Sequence, residues 1–455
     1  MQKQHEHIDG LEIKKLVYEG FGLGNGDEKS KTVFVRKAYP GDVVNVELFK
    51  RKRANGWANV LEVVKPSPSR VEPRCVHFKE CGGCPWQGLE YSEQLRWKQT
   101  IIQEVLDSVG KLNVKIEPVL PSGDTFGFRN KVELSFEADE QGHPFLGFHK
   151  QGSHWEVLNI SMCPIQTEIA QRAMKLIQDF FAQTTLPVYE SRDNSGFLKS
   201  FTIRYSFYTG KLLFGILTNM GNFPEFDDLG NLLKKELGDT FAGILWFIEK
   251  QEKGKATTRV IQAQKGDDFL EEQVNGMLFT IPATAFFQTN SQQAEQLAKV
   301  TLDFADLQAD DTLIDVYCGS GFFTLQGAMK CKSATGIELE PELILMAEQN
   351  AIKNSISNAT FLTGNSRPVL KTFVLNEKTF SVCIIDPPRS GLIPKVVTRI
   401  AALAPKRIVY VSCNPVTFAR DCQLFAEEGY HLKKVQPVDM FPQTYHCEVV
   451  GLLER

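Results

Sequence analysis

The fold is decided by residues 313–324, which read Leu-Ile-Asp-Val-Tyr-Cys-Gly-Ser-Gly-Phe-Phe-Thr. An apolar strand here runs into a turn that contains two glycines, and the residues after the turn are expected to open a helix. Glycines let a backbone approach a ligand closely. The third glycine of a dinucleotide-binding fingerprint is missing, and Asp315 precedes the turn. The stretch therefore predicts the first strand and the ligand-binding turn of an α/β domain.

Strands and helices alternate from Gly276 onward, which predicts a doubly wound, Rossmann-like sheet with ligands at the C-terminal ends of its strands. The strand candidates are residues 311–316, 333–337, 380–385, 407–412 and 448–453. The second strand leads into Glu338, at the spacing where a carboxylate accepts hydrogen bonds from ribose hydroxyls. A merely solvated acid at a strand end is the alternative. With the Asp-x-x-x-Gly-x-Gly turn, the pattern resembles that of class I S-adenosylmethionine methyltransferases.

The rest of the chain predicts two further domains, since 455 residues exceed one compact core. Short β-branched segments between Leu11 and Val64 predict a small β-barrel, and the glycines of residues 20–26 are expected to form tight β-turns rather than a nucleotide loop. A Pro-Ser linker at 66–69 ends the barrel. We therefore expect a barrel over 1–65, a central α+β domain over 66–275 and a methyltransferase-like domain over 276–455.

Composition and charge exclude several classes of protein. The chain is 42% hydrophobic and 23% charged, without an apolar run long enough to span a membrane. The polar segment Met1–Gly10 lacks the features of a secretory leader, so the sequence predicts a cytoplasmic protein whose ten cysteines are ligands, nucleophiles or packing residues. A net charge of -4 argues against non-specific coating of nucleic acid. The four cations of Lys50–Arg53 are either a solvated surface or an RNA contact.

Three polar clusters follow or precede predicted strands of the C-terminal sheet. They are Asp386-Pro-Pro-Arg, Ser412-Cys-Asn-Pro and His446-Cys-Glu. By itself, Cys413 could equally be a buried core thiol, and Arg389 could be exposed or could pair with a phosphate or a carboxylate. On an extended segment His446 and Glu448 share one face, so either is a candidate base, and Glu448 is preferred.

A thiol and a base suit methylation of carbon 5 of uracil, which is too weak a nucleophile to attack a methyl sulfonium unaided. Addition of a thiolate to carbon 6 makes carbon 5 nucleophilic, and a base then removes the carbon 5 proton so that the thiol can leave. Cys413 is the expected nucleophile and Glu448 the expected base.

Together with Phe-Phe-Gln-Thr-Asn at residues 286–290, these clusters resemble the RNA uracil-5-methyltransferase family. The resemblance implies that Cys413 is the nucleophile and Glu448 the base. It also implies that four residues line the S-adenosylmethionine site, namely Gln288, Tyr317, Glu338 and Asp386.

Four further cysteines predict a metal site: Cys75, Cys81, Cys84 and Cys163. Four thiolates suit zinc or an iron–sulfur cluster, and the spacing alone slightly favours zinc. The resemblance to the RNA uracil-5-methyltransferase family instead favours an iron–sulfur cluster. Family members that act on 23S ribosomal RNA carry a [4Fe-4S] cluster at this spacing, and the larger ones carry an N-terminal TRAM domain like the predicted barrel. The tRNA-modifying members are expected to lack both, so 23S rRNA is the expected substrate. The cluster is expected to be structural because its ligands are far in sequence from Cys413.

The sequence leaves several alternative substrates and functions open. The substrate could be tRNA, or the chain could be an RNA-binding or assembly factor without catalysis. An amino-group methyltransferase is a second rival, although Arg389 replaces the stacking aromatic residue of such enzymes, and a cytosine-5 methyltransferase would share the thiol mechanism. We expect Phe128–Lys131 to contact RNA, whose target base must flip out of its stack. The sequence gives no indication of an obligate protein partner.

Overall fold

The fold is given by a computed structural model that describes residues 6–26, 30–250 and 258–455. Residues 1–5, which belong to the N-terminal segment considered above for a leader, lie outside the described residues. Across the described ranges, no helix is long and apolar enough to cross a membrane. The elements form a closed barrel, a mixed seven-stranded sheet, a two-stranded hairpin and a second seven-stranded sheet.

The N-terminal elements form a closed five-stranded barrel, as predicted. Alternate side chains of each strand point inward, so that Val33, Val35, Val44 and Val46 are fully buried in its core. The strands close in the order β1-β2-β3-β5-β4, and their bounds are β1 (Glu6–Leu16), β2 (Gly22–Asn25), β3 (Thr32–Arg36), β4 (Val43–Lys52) and β5 (Asn55–Lys65).

The prediction of tight turns throughout residues 20–26 is wrong, because Gly22 and Gly24 lie within strand β2. A Cβ atom at Gly22 would lie 2.4 Å from the carbonyl oxygen of Ala38, and one at Gly24 would lie 2.8 Å from that of Glu12. The glycines are therefore required by close packing of backbone inside the barrel wall.

The central block is built on a sheet with the strand order β12-β11-β10-β9-β6-β7-β8. Helices α2 and α3 share an apolar core with this sheet, whereas the buried face of α1 packs into the core of the C-terminal domain. The bounds are α1 (Tyr91–Val105), β6 (Lys131–Ala138), β7 (Pro144–His149), β8 (Val157–Asn159), α2 (Glu168–Phe181), β9 (Leu198–Tyr205), β10 (Leu212–Thr218), α3 (Phe226–Leu237), β11 (Phe241–Lys250) and β12 (Thr258–Gly266).

The C-terminal domain has the predicted class I methyltransferase-like α/β architecture. After a hairpin, its sheet follows the order β17-β16-β15-β18-β19-β21-β20. The bounds are β13 (Phe269–Val274), β14 (Met277–Pro282), α4 (Ser291–Ala305), β15 (Thr312–Val316), α5 (Phe322–Ala328), β16 (Ser333–Glu338), α6 (Pro341–Lys353), β17 (Ala359–Thr363), α7 (Ser366–Leu375), β18 (Val382–Ile385), α8 (Pro394–Ala402), β19 (Arg407–Ser412), α9 (Pro415–Glu427), β20 (His431–Val438) and β21 (Glu448–Glu454).

One antiparallel strand brings the end of the chain to the ligand-binding edge of this sheet. Strands β15, β16, β18 and β19 are parallel, so their C-terminal ends lie along one edge. Strand β21 runs antiparallel to β19, and Val449 is paired with Ser412. The start of β21, at Glu448, therefore lies beside Cys413, which directly follows β19.

Candidate active site

A cavity of about 460 Å³ opens at the C-terminal ends of β15, β16 and β18. Its lining comes from the turn after β15, the end of β16, the loop after β18 and the loop before α4. The structure brings all four residues predicted to bind the cofactor into this cavity: Gln288, Tyr317, Glu338 and Asp386.

The turn after β15 is locked to the end of β16 through the carboxylate of Glu338. One oxygen accepts a hydrogen bond from the backbone N–H of Gly319 at 3.1 Å. The other accepts from the backbone N–H groups of Leu339 at 2.6 Å and Glu340 at 3.1 Å. Gly319 has a φ of +55°, which glycine adopts without strain. The carboxylate is thus fixed at the cavity wall with lone pairs left for ribose hydroxyls.

Asp315 lies behind the same turn and is fully buried. Its Oδ2 atom accepts a hydrogen bond from the Thr324 hydroxyl at 2.5 Å, and Oδ1 has no hydrogen-bond partner in the described parts of the chain. Burial raises the pKa of this carboxyl to about 7. Asp315 therefore joins the strand to helix α5 from inside and contributes to the turn's rigidity.

The Phe-Phe-Gln-Thr-Asn loop is held in place by the central domain. The side-chain amide of Asn130 donates to the carbonyl oxygen of Gln288 and to the Ser291 hydroxyl, both at 2.9 Å. Phe128 and Asn130 are buried, which differs from their predicted direct contact with RNA. The side chain of Asn130 instead holds the backbone of Gln288 at the cavity and binds the hydroxyl of Ser291 at the start of α4.

The second half of the site is a polar rim where Cys413, Asp386 and Glu448 lie close enough to influence one another. Burial, followed by the negative charges of Glu448 and Asp386, raises the pKa of the Cys413 thiol to about 11, while Arg389 acts in the opposite direction. Burial raises the pKa of Glu448 to about 7, and burial together with Glu448 raises that of Asp386 well above its ordinary value. The rim therefore holds protons that a reaction can move.

Two bases were considered from the sequence, and their surroundings differ. Burial and the nearby cations Arg389, Lys98 and Arg129 lower the pKa of His446 to about 4, so the imidazole is neutral at pH 7 and is a weak base. The pKa of Glu448 is near neutrality, where a general base is most effective. The electrostatics favour Glu448.

Asn414 connects the loops that carry the rim. Its side-chain oxygen caps helix α9 by accepting from the Val416 N–H at 3.0 Å, and its amide donates to the carbonyl oxygen of Arg389 at 3.0 Å. The same oxygen accepts from the hydroxyl of Tyr18, in the N-terminal barrel, at 2.9 Å. Sequence reasoning missed Tyr18, because nothing in the local sequence signals a partner almost four hundred residues away.

The four predicted metal-binding cysteines, Cys75, Cys81, Cys84 and Cys163, line a second cavity of about 440 Å³. Burial, and then the charges of neighbouring thiols, raise the pKa of Cys84 well above its ordinary value and that of Cys163 to about 11. Within the described residues, no group of three or more His, Cys, Asp or Glu side chains has an arrangement that could hold a metal ion. The cysteines are thus brought together, but a metal centre is not shown.

The four cysteines are far from Cys413 in sequence, but the cavity that they line lies close to the rim in space. Arg389, whose charge acts on the Cys413 thiol, and His446, which lies two residues before Glu448, line the cysteine cavity as well. Arg129 of the central domain also lines this cavity. It forms a β-bridge to Asn290, the last residue of the Phe-Phe-Gln-Thr-Asn loop. The cysteine cavity is therefore adjacent to the rim.

Comparison with known proteins gives matches over nearly the whole chain. The family model described as tRNA (uracil-5-)-methyltransferase matches residues 90–455. An RNA methyltransferase of Caldanaerobacter subterraneus subsp. tengcongensis is 34% identical over 446 residues, with 98% of each chain covered. The solved structure of Pyrococcus abyssi tRNA (uracil-54, C5)-methyltransferase, in complex with S-adenosyl-L-homocysteine, is 28% identical, has a TM-score of 0.78 and covers 98% of this chain and 100% of its own.

The Pyrococcus abyssi enzyme corrects one expectation. We expected tRNA-modifying members to lack the N-terminal barrel. Coverage of 98% of this chain leaves far fewer residues unmatched than the barrel contains. The barrel therefore does not distinguish a tRNA substrate from a ribosomal one.

The shared fold, the cofactor cavity at the strand ends and the family match lead to one assignment. The chain is an S-adenosylmethionine-dependent RNA methyltransferase that belongs to the tRNA (uracil-5-)-methyltransferase family.

Proposed function

We propose that this enzyme methylates carbon 5 of a uridine in RNA, with Cys413 as nucleophile and Glu448 as base. The observation that carries the proposal is the convergence of Cys413, Asp386 and Glu448 on one rim, because Asp386 also lines the cofactor cavity. A base placed at this rim would be within reach of both the thiol and the bound cofactor.

The residues of the rim supply each step of the reaction. The Cys413 thiol loses its proton to solvent, and the thiolate Sγ atom forms a bond to carbon 6 of the uracil. The electrons of the carbon 5–carbon 6 double bond are thereby displaced, which makes carbon 5 nucleophilic. Bound S-adenosylmethionine would supply the methyl group that bonds to carbon 5 and, as the methyl–sulfur bond breaks, would leave as S-adenosylhomocysteine. Glu448 then takes the proton from carbon 5, the bond between Sγ and carbon 6 breaks, and the ring double bond is restored. Arg389 favours the thiolate by its charge, both before addition and after release.

Four residues would hold the cofactor. Glu338 would accept hydrogen bonds from the ribose hydroxyls, and Gln288, Tyr317 and Asp386 would line the remaining wall. The Tyr317 hydroxyl accepts a hydrogen bond from Ser366 at 3.0 Å, so its ring is held before the cofactor arrives.

Release of tritium from RNA labelled at carbon 5 of uridine tests the chemistry. Wild type should release tritium when S-adenosylmethionine is present, and Cys413→Ala should release none. Glu448→Gln should still methylate but should retain the proton at carbon 5, so that a methylated covalent complex accumulates and is visible on a denaturing gel. Release by Cys413→Ala would overturn the proposed mechanism.

As substrate we propose 23S rRNA, on the basis of the four cysteines and their resemblance to those of 23S-modifying members. A tRNA is the second candidate, because a tRNA (uracil-54, C5)-methyltransferase matches the chain throughout its length. Both RNAs should be isolated from cells that lack the enzyme and compared at equal uridine concentration. A kcat/KM that is higher for tRNA would reject the ribosomal assignment.

The reaction is proposed to occur in the cytoplasm without an obligate protein partner.

The barrel and the central domain are proposed to bind the RNA. Lys50–Arg53 form an exposed cationic segment at the β4–β5 connection. Beside it, the rings of Phe34 and Trp57 stack at 5.2 Å, and the ammonium of Lys50 lies 5.0 Å from the Trp57 ring centre. Aromatic rings interleaved with cations are typical of surfaces that bind single-stranded nucleic acid.

We also propose that Cys75, Cys81, Cys84 and Cys163 bind a [4Fe-4S] cluster. Four thiols line one cavity, and the cations Lys37 and Arg129 lie near enough to offset part of the charge of thiolate ligands. Anaerobically purified protein should contain about four iron and four sulfide per chain. Cys163→Ser should lose iron. A stoichiometric zinc content without sulfide would favour a zinc site instead.

A further inference from the structure

The turn between β1 and β2 contacts the loops of the active site. The ring of Tyr18 meets that of Tyr445 edge-on, with 6.2 Å between ring centres, and Tyr445 in turn lies 4.1 Å from the ring of His446. The Tyr18 hydroxyl donates to the side-chain oxygen of Asn414 at 2.9 Å. A barrel residue thus contacts the residue that follows Cys413.

The local conformation of the turn is adapted to this docking. Gly20 has a φ of +80°, and a Cβ atom there would lie 2.6 Å from the Tyr445 ring. The carbonyl oxygen of Gly20 accepts a hydrogen bond from the indole N–H of Trp86 at 3.0 Å. Val17 and Phe21 close the turn through a backbone hydrogen bond of 2.9 Å. The position of Tyr18 is therefore fixed by contacts on both sides of the turn.

Asn414 is the point through which Tyr18 would act. Its side-chain oxygen accepts hydrogen bonds from Tyr18 and from the Val416 N–H, while its amide group donates to the carbonyl oxygen of Arg389. Two donors on one oxygen fix the orientation of the side chain. That orientation joins the Cys413 loop to the Arg389 loop.

The hydroxyl of Tyr18 is suited to this task. Burial, followed by the charges of Tyr445, Glu19 and Cys413, raises the pKa of Tyr18 to about 12. The hydroxyl therefore remains a donor throughout the neutral pH range.

We infer that Tyr18 is a positioning residue for methyl transfer, through which the N-terminal barrel completes the active site. The inference rests on the proposed role of Cys413 as nucleophile. It assigns the barrel a direct part in turnover in addition to any part in RNA binding. Because Tyr18 acts through Asn414, its hydroxyl should affect the reacting geometry and not the affinity for RNA or cofactor.

Tyr18→Phe tests the inference, since it keeps the ring contact with Tyr445 and removes only the hydroxyl. We expect kcat to fall about tenfold, the size expected when one hydrogen bond of a catalytic array is lost. The KM values for RNA and S-adenosylmethionine should stay within about twofold of wild type, as should kcat in the control Tyr208→Phe, which alters an exposed tyrosine of the central domain.

A double-mutant cycle identifies the route of action. Asn414→Ser should lower kcat, and Tyr18→Phe should cause little further loss in that background, because both changes remove the same link. Fully multiplicative losses would overturn the inference. So would an unchanged kcat in Tyr18→Phe, a rise confined to the KM for RNA, or a lowered melting temperature that accounts for the loss.

Cys413→Ala, measured in the same series, separates this inference from the proposed function. Tritium release by Cys413→Ala would reject the nucleophile and with it the basis of the inference. Loss of release by Cys413→Ala together with a normal Tyr18→Phe would reject the positioning role alone.

Discussion

The cofactor cavity and the polar rim lie along one edge of the same sheet but are assembled in different ways. Most of the cavity comes from consecutive turns of the C-terminal domain, where Gly319 and Glu338 are tied across adjacent strands. The rim is contacted by the N-terminal barrel through Tyr18, and it adjoins the cavity lined by the four cysteines. We therefore expect cofactor binding to depend on contacts within the C-terminal domain, whereas catalysis should depend on contacts between domains.

Disrupting the contact between helix α1 and the C-terminal domain should have the largest effect, which is a loss of stability. Lys98 of helix α1 and Asp439 form a fully buried ion pair, with 2.6 Å between Nζ and Oδ1. Lys98→Met leaves a buried carboxylate without its cation, which should lower the free energy of unfolding by about 3–5 kcal/mol. Chemical denaturation measures the loss.

A surface ion pair provides the matched control. Lys175 and Asp179 are 2.5 Å apart on the exposed face of α2, so Lys175→Met should cost less than about 1 kcal/mol. Equal losses for the two lysine variants would show that the α1 contact is no stronger than a surface contact. That result would weaken the contrast between the cavity and the rim.

The sequence predicts the features that depend on local contacts better than those that depend on contacts between distant segments. The turn after β15 and the acid at Glu338 were predictable, because both lie within one short βαβ unit. Strands β17 and β20 were missed, because their side chains are mostly polar or partly exposed edge-strand residues. The proximity of the cysteine cavity to His446 could not be predicted, since tertiary packing alone brings these segments together.

Glu338→Gln tests the cavity side of the comparison. A neutral amide accepts fewer and weaker hydrogen bonds than the carboxylate that binds three backbone N–H groups. We expect the affinity for S-adenosylhomocysteine to fall about tenfold to a hundredfold, which corresponds to about 1.4–2.7 kcal/mol. Calorimetric titration measures it.

Two controls keep the result specific to the cavity. The affinity for RNA should not change in Glu338→Gln, because that side chain belongs to the cofactor half. Glu340→Gln alters an exposed neighbouring acid and should bind the cofactor normally. If both variants lost the same affinity for S-adenosylhomocysteine, the loss would be due to the total charge of the segment and not to the fixed carboxylate of Glu338.

The pH dependence of turnover tests the rim. Because burial raises the pKa of Glu448 to about 7, the contribution of Glu448 to kcat should increase about tenfold per pH unit below 7 and become constant above it. Above pH 7 only the ionisation of the Cys413 thiol, whose pKa is about 11, should still raise kcat. A carboxyl with a raised pKa also makes the folded state less stable as pH rises from its ordinary value toward 7. Glu448→Gln should therefore gain melting temperature relative to wild type between pH 5 and pH 8.

A pH-independent difference in melting temperature between wild type and Glu448→Gln would show that the carboxyl is not held protonated by burial. The proposed base would then titrate at its ordinary value, and the expected rise of kcat near pH 7 would have to come from another group. Asp386 is one such carboxyl, since burial and the charge of Glu448 raise its pKa.

The smallest effect should come from the outer surface of the barrel. Trp57 stacks on Phe34 and lies under the Lys50 ammonium. Trp57→Ala should raise the KM for RNA about fivefold, or about 1 kcal/mol, because one stacking platform is lost. Its kcat should not change, whereas Tyr18→Phe in the same barrel should lower kcat and leave the KM unchanged.

Val64→Ala provides the control for the Trp57 variant, because it truncates another exposed barrel residue without removing an aromatic ring. Its steady-state kinetics should match those of wild type. If Trp57→Ala instead lowered kcat as Tyr18→Phe is expected to do, the barrel would act as one undivided unit. Opposite kinetic effects would show that one face of the barrel binds RNA while the turn at Tyr18 serves the chemistry.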